Sequence, residues 1–256
     1  SVTSGAATLI VNSVAPAIAV SAGLNHTCAL LSNGTIKCWG TNTTSNVPVP
    51  VNGISTAISI SANFGHTCAL LSNGTIKCWG TNSYGELGDG TYTGRSAPVP
   101  VSGISTAISV SAGYLHTCAL LSNGTIKCWG KNGYGELGNG TNTKSNTPVS
   151  VSGISTAISV STGFYHTCAL LLNGSIQCWG WNVNGELGNG TNAGSNIPVP
   201  VSDITTAISI SAYIHNTCAL LSNGTIKCWG FNGDGQLGNG TNAGSNIPVP
   251  VSDITT

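Results

Sequence analysis

Residues 28–40 read Cys28-Ala29-Leu30-Leu31-Ser32-Asn33-Gly34-Thr35-Ile36-Lys37-Cys38-Trp39-Gly40, and this stretch decides the fold because it returns four more times. The further copies differ little and occupy residues 68–80, 118–130, 168–180 and 218–230. Two apolar runs flank Ser-Asn-Gly, a pattern typical of a β-hairpin whose turn needs glycine in the left-handed region. We therefore expect the same hairpin to be built five times.

The length of the turn fixes which residues of the hairpin face each other. A three-residue turn over 32–34 brings Cys28 opposite Cys38 as a non-hydrogen-bonded pair, with Cα atoms about 4.5 Å apart. That separation lies at the short end of disulfide geometry. A two-residue turn would place Cys28 opposite Trp39 instead. We adopt the three-residue turn, which predicts the bridges Cys28–Cys38, Cys68–Cys78, Cys118–Cys128, Cys168–Cys178 and Cys218–Cys228.

The cysteine count and the low charge limit the class of protein. Ten cysteines in five equal pairs indicate an oxidising compartment, and reduced core thiols or metal ligation are the alternatives. The Cys-x9-Cys spacing fits no usual zinc site.

Charged residues make up 5% of the 256 residues and the formal net charge is zero, so nucleic-acid binding lacks its electrostatic footprint. No apolar run is long enough to span a membrane. We expect an extracellular or cell-surface protein after removal of a signal peptide.

Each repeat offers four extended segments and no helical periodicity. An Ala-Ile-Ser strand precedes the hairpin, and a Pro-Val strand follows it. Alternate prolines remove ladder donors, so the Pro-Val strand belongs at a sheet edge. A four-stranded sheet that repeats along the chain is a propeller blade. The sequence thus predicts an all-β, propeller-type array of five four-stranded antiparallel blades, each with an intra-hairpin disulfide, over 17–56, 57–106, 107–156, 157–206 and 207–256.

Residues 1–16 form an N-terminal extension outside the repeats. Within it, Thr8, Leu9, Ile10, Val11 and Asn12 have the pattern of a β-strand that no blade needs. Such an apolar strand either covers an edge of its own ring or pairs with another protomer. Donation to a second copy would propagate into a filament or surface layer unless the rotation closed a ring.

Three motifs that occur together over 111–140 resemble the regulator-of-chromosome-condensation repeat family. They read Ser-Ala-Gly-x-x-His-Thr-Cys-Ala-Leu, Asn-Gly-Thr-Ile-Lys-Cys-Trp-Gly-x-Asn and Gly-Glu-Leu-Gly-x-Gly. The resemblance covers 17–256 and implies a propeller, seven-bladed in the family. This chain differs in its five units, in a first unit whose loop is ten residues shorter and in its cysteine pairs. The cysteine-bearing form is similar to secreted bacterial and archaeal members. The resemblance implies a blade-packing role for His26, His66, His116 and His166.

Recurrent acidic residues are the natural candidates for chemistry. Glu86, Glu136 and Glu186 share one loop position, and Gln236 occupies it in the last copy. Glycoside hydrolysis needs two carboxylates within about 10 Å, and the closer of its two geometries is too short for residues one blade apart. Asp234 lacks the twelve-residue ligand pattern of a calcium loop. We expect no catalytic site, no cofactor and no metal.

Loop residues that vary between the units are the candidates for ligand contact, because loops on a rigid scaffold commonly carry recognition. Lys131, Trp181 and Phe231 occupy one such position. The tryptophan after the second cysteine of each hairpin is instead expected in the core between blades. The full set of candidate contacts is Tyr84, Tyr92, Arg95, Lys131, Tyr134, Trp181 and Phe231.

The chain contains ten Asn-x-Ser/Thr sequons. An Asn-Gly turn followed by threonine yields a sequon without any glycan, but glycans would also help a chain of such low charge to stay in solution. We expect several of the hairpin asparagines to be modified. The sequons begin at Asn25, Asn33, Asn42, Asn73, Asn123, Asn139, Asn173, Asn189, Asn223 and Asn239.

The sequence therefore favours a non-enzymatic extracellular protein that is structural or adhesive. Its expected partner is itself or another extracellular protein or glycan. Two alternatives stay open: a discrete propeller that binds a protein or glycan through its variable loops, and an enzyme with a site at the mouth of the ring. A cluster of the aromatic loop residues on one rim would favour the binding protein.

Overall fold

The computed structural model describes residues 15–41 and 45–254, which form five four-stranded antiparallel sheets in which the strands lie in chain order. Within these residues no helix is long and apolar enough to cross a membrane. The strands are β1 (Ala17–Ala22), β2 (His26–Leu31), β3 (Ile36–Gly40), β4 (Ser45–Pro50), β5 (Ala57–Ala62), β6 (His66–Leu71), β7 (Ile76–Gly80), β8 (Arg95–Pro100), β9 (Ala107–Ala112), β10 (His116–Leu121), β11 (Ile126–Gly130), β12 (Ser145–Ser150), β13 (Ala157–Thr162), β14 (His166–Leu171), β15 (Ile176–Gly180), β16 (Ser195–Pro200), β17 (Ala207–Ala212), β18 (Asn216–Leu221), β19 (Ile226–Gly230) and β20 (Ser245–Pro250).

The hairpin register is the one that the three-residue turn predicts. In the third sheet Leu121 N donates to Thr125 O at 2.9 Å, and Gly124 closes the turn with φ +78°. Cys118 then pairs with Cys128 across β10 and β11, and their Cα atoms are 4.1 Å apart. All ten cysteines are joined in this way within their own hairpins, so the predicted all-β blades with one disulfide each are confirmed.

The order of strands places the proline-rich segments at sheet edges. The Ala-Ile-Ser strands β1, β5, β9, β13 and β17 form the inner edge of each sheet, and those of successive sheets lie side by side. The Pro-Val strands β4, β8, β12, β16 and β20 form the outer edge. Because proline lacks a backbone donor, these outer edges offer fewer hydrogen bonds to another strand.

Neighbouring sheets bury opposite faces against each other. Between the third and fourth sheets, Leu120 and Ile126 lie on the face that holds the Cys118–Cys128 bridge. They pack against the other face of the next sheet, which presents Val160, Leu171 and Trp179. Equivalent clusters fill the other three junctions. Each disulfide is therefore part of the apolar core between two blades.

The long loop after the third strand reaches into the same junction. Leu137 of the Gly-Glu-Leu-Gly segment is fully buried in the cluster between the third and fourth sheets. Gly138 follows with φ +64°, and a Cβ there would lie 2.7 Å from Nε1 of Trp179. Glycine is therefore required both by the backbone conformation and by the close approach of the indole. The shorter first unit lacks this segment.

The first sheet and the last sheet each have one side whose apolar residues are more exposed than their equivalents in the interior sheets. Val20 in β1 is 69% exposed, whereas its equivalent Val160 is 6% exposed. Ile254 after β20 is 40% exposed, whereas its equivalent Ile154 is 4% exposed. Two apolar sheet faces that are core elsewhere thus lie at the surface among the described residues. The predicted surplus strand Thr8–Asn12 lies outside those residues.

We expect the interior disulfides to contribute strongly to stability. Removing the third bridge with Cys118→Ala/Cys128→Ala should lower the free energy of unfolding by about 2.7 kcal/mol, because an 11-residue loop is no longer closed in the unfolded chain. Urea denaturation measures the change, with the exposed turn substitution Ser122→Ala as control. An unfolding free energy equal to that of the wild type would contradict this role.

Candidate functional site: the loop end of the blades

Two kinds of connection leave every complete blade at the same end. The short turn between the first and second strands lies there, together with the long loop between the third and fourth strands. We call this side the loop end. The hairpin turns between the second and third strands lie at the opposite side, which we call the turn end. The long loops span residues 81–94, 131–144, 181–194 and 231–244.

A buried hydrogen-bond network fixes each of the first three long loops to the next blade. Nε2 of His116 lies 2.9 Å from Oγ1 of Thr167, which donates to the backbone carbonyl of Glu136 at 3.0 Å. The indole Nε1 of Trp179 donates to the same carbonyl at 2.8 Å. The arrangement recurs in two further junctions, as His66–Thr117–Glu86–Trp129 and His166–Thr217–Glu186–Trp229.

The network defines the protonation of the buried histidines. The one hydroxyl hydrogen of Thr117 is donated to the Glu86 carbonyl, so Nε2 of His66 must carry a proton and donate to Thr117. Burial lowers the pKa of His66, His116 and His166 to about 3. These imidazoles are therefore neutral packing groups at separate junctions.

The three loop glutamates are buried and serve their own loops. Oε2 of Glu136 accepts from the backbone N of Tyr134 at 2.8 Å, and burial raises the pKa of Glu136 as it does that of Glu86. Nζ of Lys131 lies 3.8 Å from Oε1 of Glu136, and burial lowers the pKa of this lysine. Nδ1 of His215 lies 3.4 Å from Glu186. Each carboxylate thus has its own environment in its own junction.

Aromatic rings form a continuous surface across the loop end. The ring centroids of Phe64 and Tyr114 are 4.2 Å apart, and those of Tyr114 and Phe164 are 4.4 Å apart. Tyr165 continues the row from Phe164. We call the whole set of linked rings the aromatic ladder: Phe64, Tyr114, Phe164, Tyr165, Tyr134, Trp181 and His215.

Two of the predicted contact residues belong to this ladder, and a third, Lys131, lies against it. Tyr134 and Trp181 meet at 4.4 Å between centroids. Nζ of Lys131 lies 4.6 Å from the Tyr134 centroid and 4.0 Å from that of Tyr165. This ammonium is thus held between two rings and a carboxylate.

The other predicted contact residues lie apart from the ladder. Tyr84 and Tyr92 gather around Lys144, whose Nζ lies 4.4 Å from the Tyr92 centroid. Arg95 pairs with Asp89 of its own loop at 3.4 Å. Phe231 lines separate clefts of the last two blades. A role of the whole predicted set in ligand contact stays a prediction.

Sequence reasoning missed the centre of the ladder. Phe64, Tyr114, Phe164 and Tyr165 occupy the two variable positions between glycine or asparagine and histidine in the Ser-Ala-Gly-x-x-His motif, where His215 also falls. The signal was present, because aromatic residues fill these positions in three consecutive units. Their meeting across blades depends on the stacking of the sheets, which the motif itself does not encode.

Other candidate sites are spread over the molecule. In the described part of the chain no group of three or more His, Cys, Asp or Glu side chains is placed to hold a metal ion. The asparagines of the hairpin turns are exposed at the turn end, where Thr125 Oγ1 donates to Asn123 Oδ1 at 2.7 Å. Asn42 lies outside the described residues. Modification of the sequons stays a prediction.

Comparison with protein families identifies the repeat. A model described as the regulator of chromosome condensation (RCC1) repeat matches residues 17–44, 57–86, 107–136, 157–186 and 207–236. A second model of the same description matches 73–120, 123–170, 173–220 and 223–256. A comparison with curated proteins finds no match to this sequence.

Solved structures of the same architecture are similar to this chain. Yeast RCC1 (Prp20), in a structure with Kap60 bound, superposes with a TM-score of 0.82 at 21% identity, over 93% of this chain and 61% of that one. Prp20p from Saccharomyces cerevisiae, described with its binding to Gsp1p and histones, gives 0.83 at 20% identity over 93% and 63%. Human WBSCR16 gives 0.81 at 21% identity over 91% and 66%. This chain thus spans less than two thirds of each of these structures.

The neutral histidines predict acid sensitivity. An unfolded histidine takes up its proton near pH 6.5, whereas these buried ones do so near 3, so the unfolded state binds more protons between those values. Their stabilising contribution is complete above pH 6.5 and falls as the pH decreases toward 3. The loss is at most about 1.4 kcal/mol per pH unit for each histidine.

Urea denaturation at pH values from 7 to 4 measures how the free energy of unfolding changes with pH. The variant His116→Asn copies the asparagine found at the equivalent position Asn216. It should lower the pH dependence of the unfolding free energy by the contribution of one histidine, even if the variant is less stable than the wild type at pH 7. Parallel pH profiles for the variant and the wild type would contradict the assignment.

Proposed function

This chain belongs to the regulator of chromosome condensation (RCC1) repeat family, and we propose that it is a non-catalytic binding module that holds a protein partner at its loop end. The observation that carries the proposal is the aromatic ladder. It crosses four consecutive blades on residues that vary between the repeats, whereas the junction residues beneath it are nearly constant. RCC1-like propellers commonly bind proteins, and the yeast relative was solved with Kap60 bound.

The ladder has the chemistry of a protein-binding surface. Tyrosine and tryptophan supply large contact areas at little cost in side-chain entropy, and such rings dominate the energy of many interfaces. Tyr134 is 39% exposed at the rim of the ladder. Lys131 adds a cation that is already held by two rings and a carboxylate. The surface is thus ordered before a partner arrives, which lowers the cost of binding.

The non-catalytic part of the proposal rests on what the polar groups already do. The histidines are used in the blade junctions, and each loop glutamate accepts a hydrogen bond from its own loop. These groups act as anchors of the scaffold. The propeller therefore serves to present its loops, and the enzyme with a site at the ring mouth is the less supported alternative.

We further place this function outside the cell. Five disulfides persist in oxidising compartments and are rare in reducing ones. Exposed sequons at the turn end, away from the ladder, could carry glycans without covering the proposed binding surface. An intact mass above the 25.7 kDa of the bare chain would report such glycans.

Binding measurements on matched variants test the module. The immobilised protein is exposed to extracellular proteins of its source cells, and a retained protein is purified and titrated. Tyr114→Ser/Phe164→Ser should weaken its binding at least about tenfold, because buried aromatic contacts dominate such interfaces. Leu172→Ser, which changes an exposed apolar residue of a hairpin turn at the turn end, is the control. Equal affinity of the ladder variant, or no retained protein, would refute the proposal.

Self-association is a second candidate function, and the exposed faces of the first and last sheets favour it. Ile154 and Val160 pack in one cluster across an interior junction. Their equivalents Ile254 and Val20 lie exposed at opposite ends of the array. A head-to-tail contact between two copies would bring these side chains together as in the interior junctions, and would give the structural or adhesive assembly that the sequence favours. Donation of the strand Thr8–Asn12 stays a prediction of the sequence.

Sedimentation at increasing concentration tests this assembly. Val20→Asp and Ile254→Asp should each abolish association of the wild type, since each buries a charge in the new junction. Ile18→Asp is the matched control, because Ile18 is exposed and so are its equivalents in every sheet, such as Ile108. A wild type that stays monomeric at its highest soluble concentration would exclude self-association.

A further inference from the structure

Two equivalent clefts lie one blade apart at the loop end, and we call them the twin clefts. The first has a volume of about 560 Å³ at the junction of the third and fourth blades, and its lining includes Tyr134, Asn142, Trp181, Ser195, Asn196 and Ile197. The second, of about 570 Å³, lies one junction further, and its lining includes the equivalent residues Asn184, Asn192, Phe231, Ser245, Asn246 and Ile247.

The lining of the twin clefts is polar but uncharged. Each cleft contains one ring at the variable loop position, Trp181 or Phe231, surrounded by amides and a hydroxyl. Neither lining contains an Asp, Glu, Lys, Arg or His side chain. A charged ligand would lose hydration there without meeting an opposite charge. A neutral ligand that is rich in hydroxyls would exchange its hydrogen bonds to water for hydrogen bonds to the cleft, since amides both donate and accept them.

The amides are held in place across the blade junction. Nδ2 of Asn196 donates to Oδ1 of Asn142 at 2.9 Å, and Nδ2 of Asn246 donates to Oδ1 of Asn192 at 2.8 Å. Within the described part of the chain, Oδ1 of Asn196 accepts no hydrogen bond. Each cleft thus combines a fixed acceptor with an aromatic face, whose negative charge density attracts the C–H groups of a sugar ring.

Earlier repeats contain altered versions of the same cleft. In the third unit Lys144 stands where the later units have Gly194 and Gly244, and its ammonium lies over Tyr92 and Tyr84. In the second unit Thr81 replaces the ring. Among the described units, the fourth and fifth alone combine the ring with the open space that glycine leaves.

We propose that each of the twin clefts binds one hexose or N-acetylhexosamine unit of a neutral oligosaccharide. The site lies at the same loop end but goes beyond the proposed protein binding, since its essential groups are the cleft rings and amides. Two weak sites one blade apart can engage one chain or surface together, so the overall affinity exceeds that of either site.

Titration calorimetry with tetrasaccharides of mannose, galactose and N-acetylglucosamine tests the proposal. At least one of these tetrasaccharides should bind. The corresponding monosaccharide should occupy two sites per chain. Trp181→Ala should leave one site, and Trp181→Ala/Phe231→Ala should weaken binding at least tenfold. The control Tyr213→Ala removes an exposed ring outside the twin clefts and should bind as the wild type does.

A second variant tests the site without removing a ring. Gly194→Lys introduces the side chain found at Lys144 and should block the first cleft, with circular dichroism and melting used to verify folding. Absence of binding by all three tetrasaccharides, unchanged binding by the double variant, or binding confined to a tetramer of galacturonate would overturn the proposal. Tyr114→Ser/Phe164→Ser should retain sugar binding, so failure of the protein-binding proposal can be distinguished from failure of this one.

Discussion

The structure depends on the contact that a long loop makes with the following blade, which recurs at three junctions. One backbone carbonyl, such as that of Glu136, receives both the indole hydrogen of Trp179 and the hydroxyl hydrogen of Thr167 in a fully buried site. Leu137 beside it fills the apolar core between the sheets. Burial of these donors would be costly without the carbonyl, and the carbonyl is present only when the loop is in place. Blade and loop therefore order each other.

This mutual dependence explains why some positions are nearly constant between the repeats and others vary. Residues of the junction must satisfy buried partners on two blades, so they hardly change from unit to unit. Residues on the outer side of the same loops meet solvent and are free to differ, as Thr81, Lys131, Trp181 and Phe231 do. Both proposed binding surfaces include such residues, because Trp181 belongs to the ladder and Trp181 and Phe231 are the rings of the twin clefts. In this account the disulfides, histidines and glutamates support a constant frame, and recognition belongs to the positions that the frame leaves unconstrained.

Much of the frame could be predicted from the sequence because its determinants are local. The Ser-Asn-Gly turn sets the hairpin register, which in turn sets the cysteine pairing, and alternate prolines set the edge strand. The binding surfaces were predicted less well. Phe64, Tyr114 and Phe164 lie 50 residues apart in the chain and meet only because successive sheets stack at one spacing. The twin clefts depend likewise on side chains from two blades, and on glycine at one position where a neighbouring repeat has lysine.

Hydrogen exchange of the six tryptophan indoles, followed by nuclear magnetic resonance, tests the junction most directly. The account predicts slow exchange for Trp129, Trp179 and Trp229, whose Nε1 hydrogens are donated to buried loop carbonyls. It predicts faster exchange for Trp39 and Trp181, which are partly exposed, and for Trp79, which follows a first unit without the Gly-Glu-Leu-Gly segment. Exchange at one common rate for all six indoles would contradict the claim that the long loops lock the second, third and fourth blades to the blades that follow them.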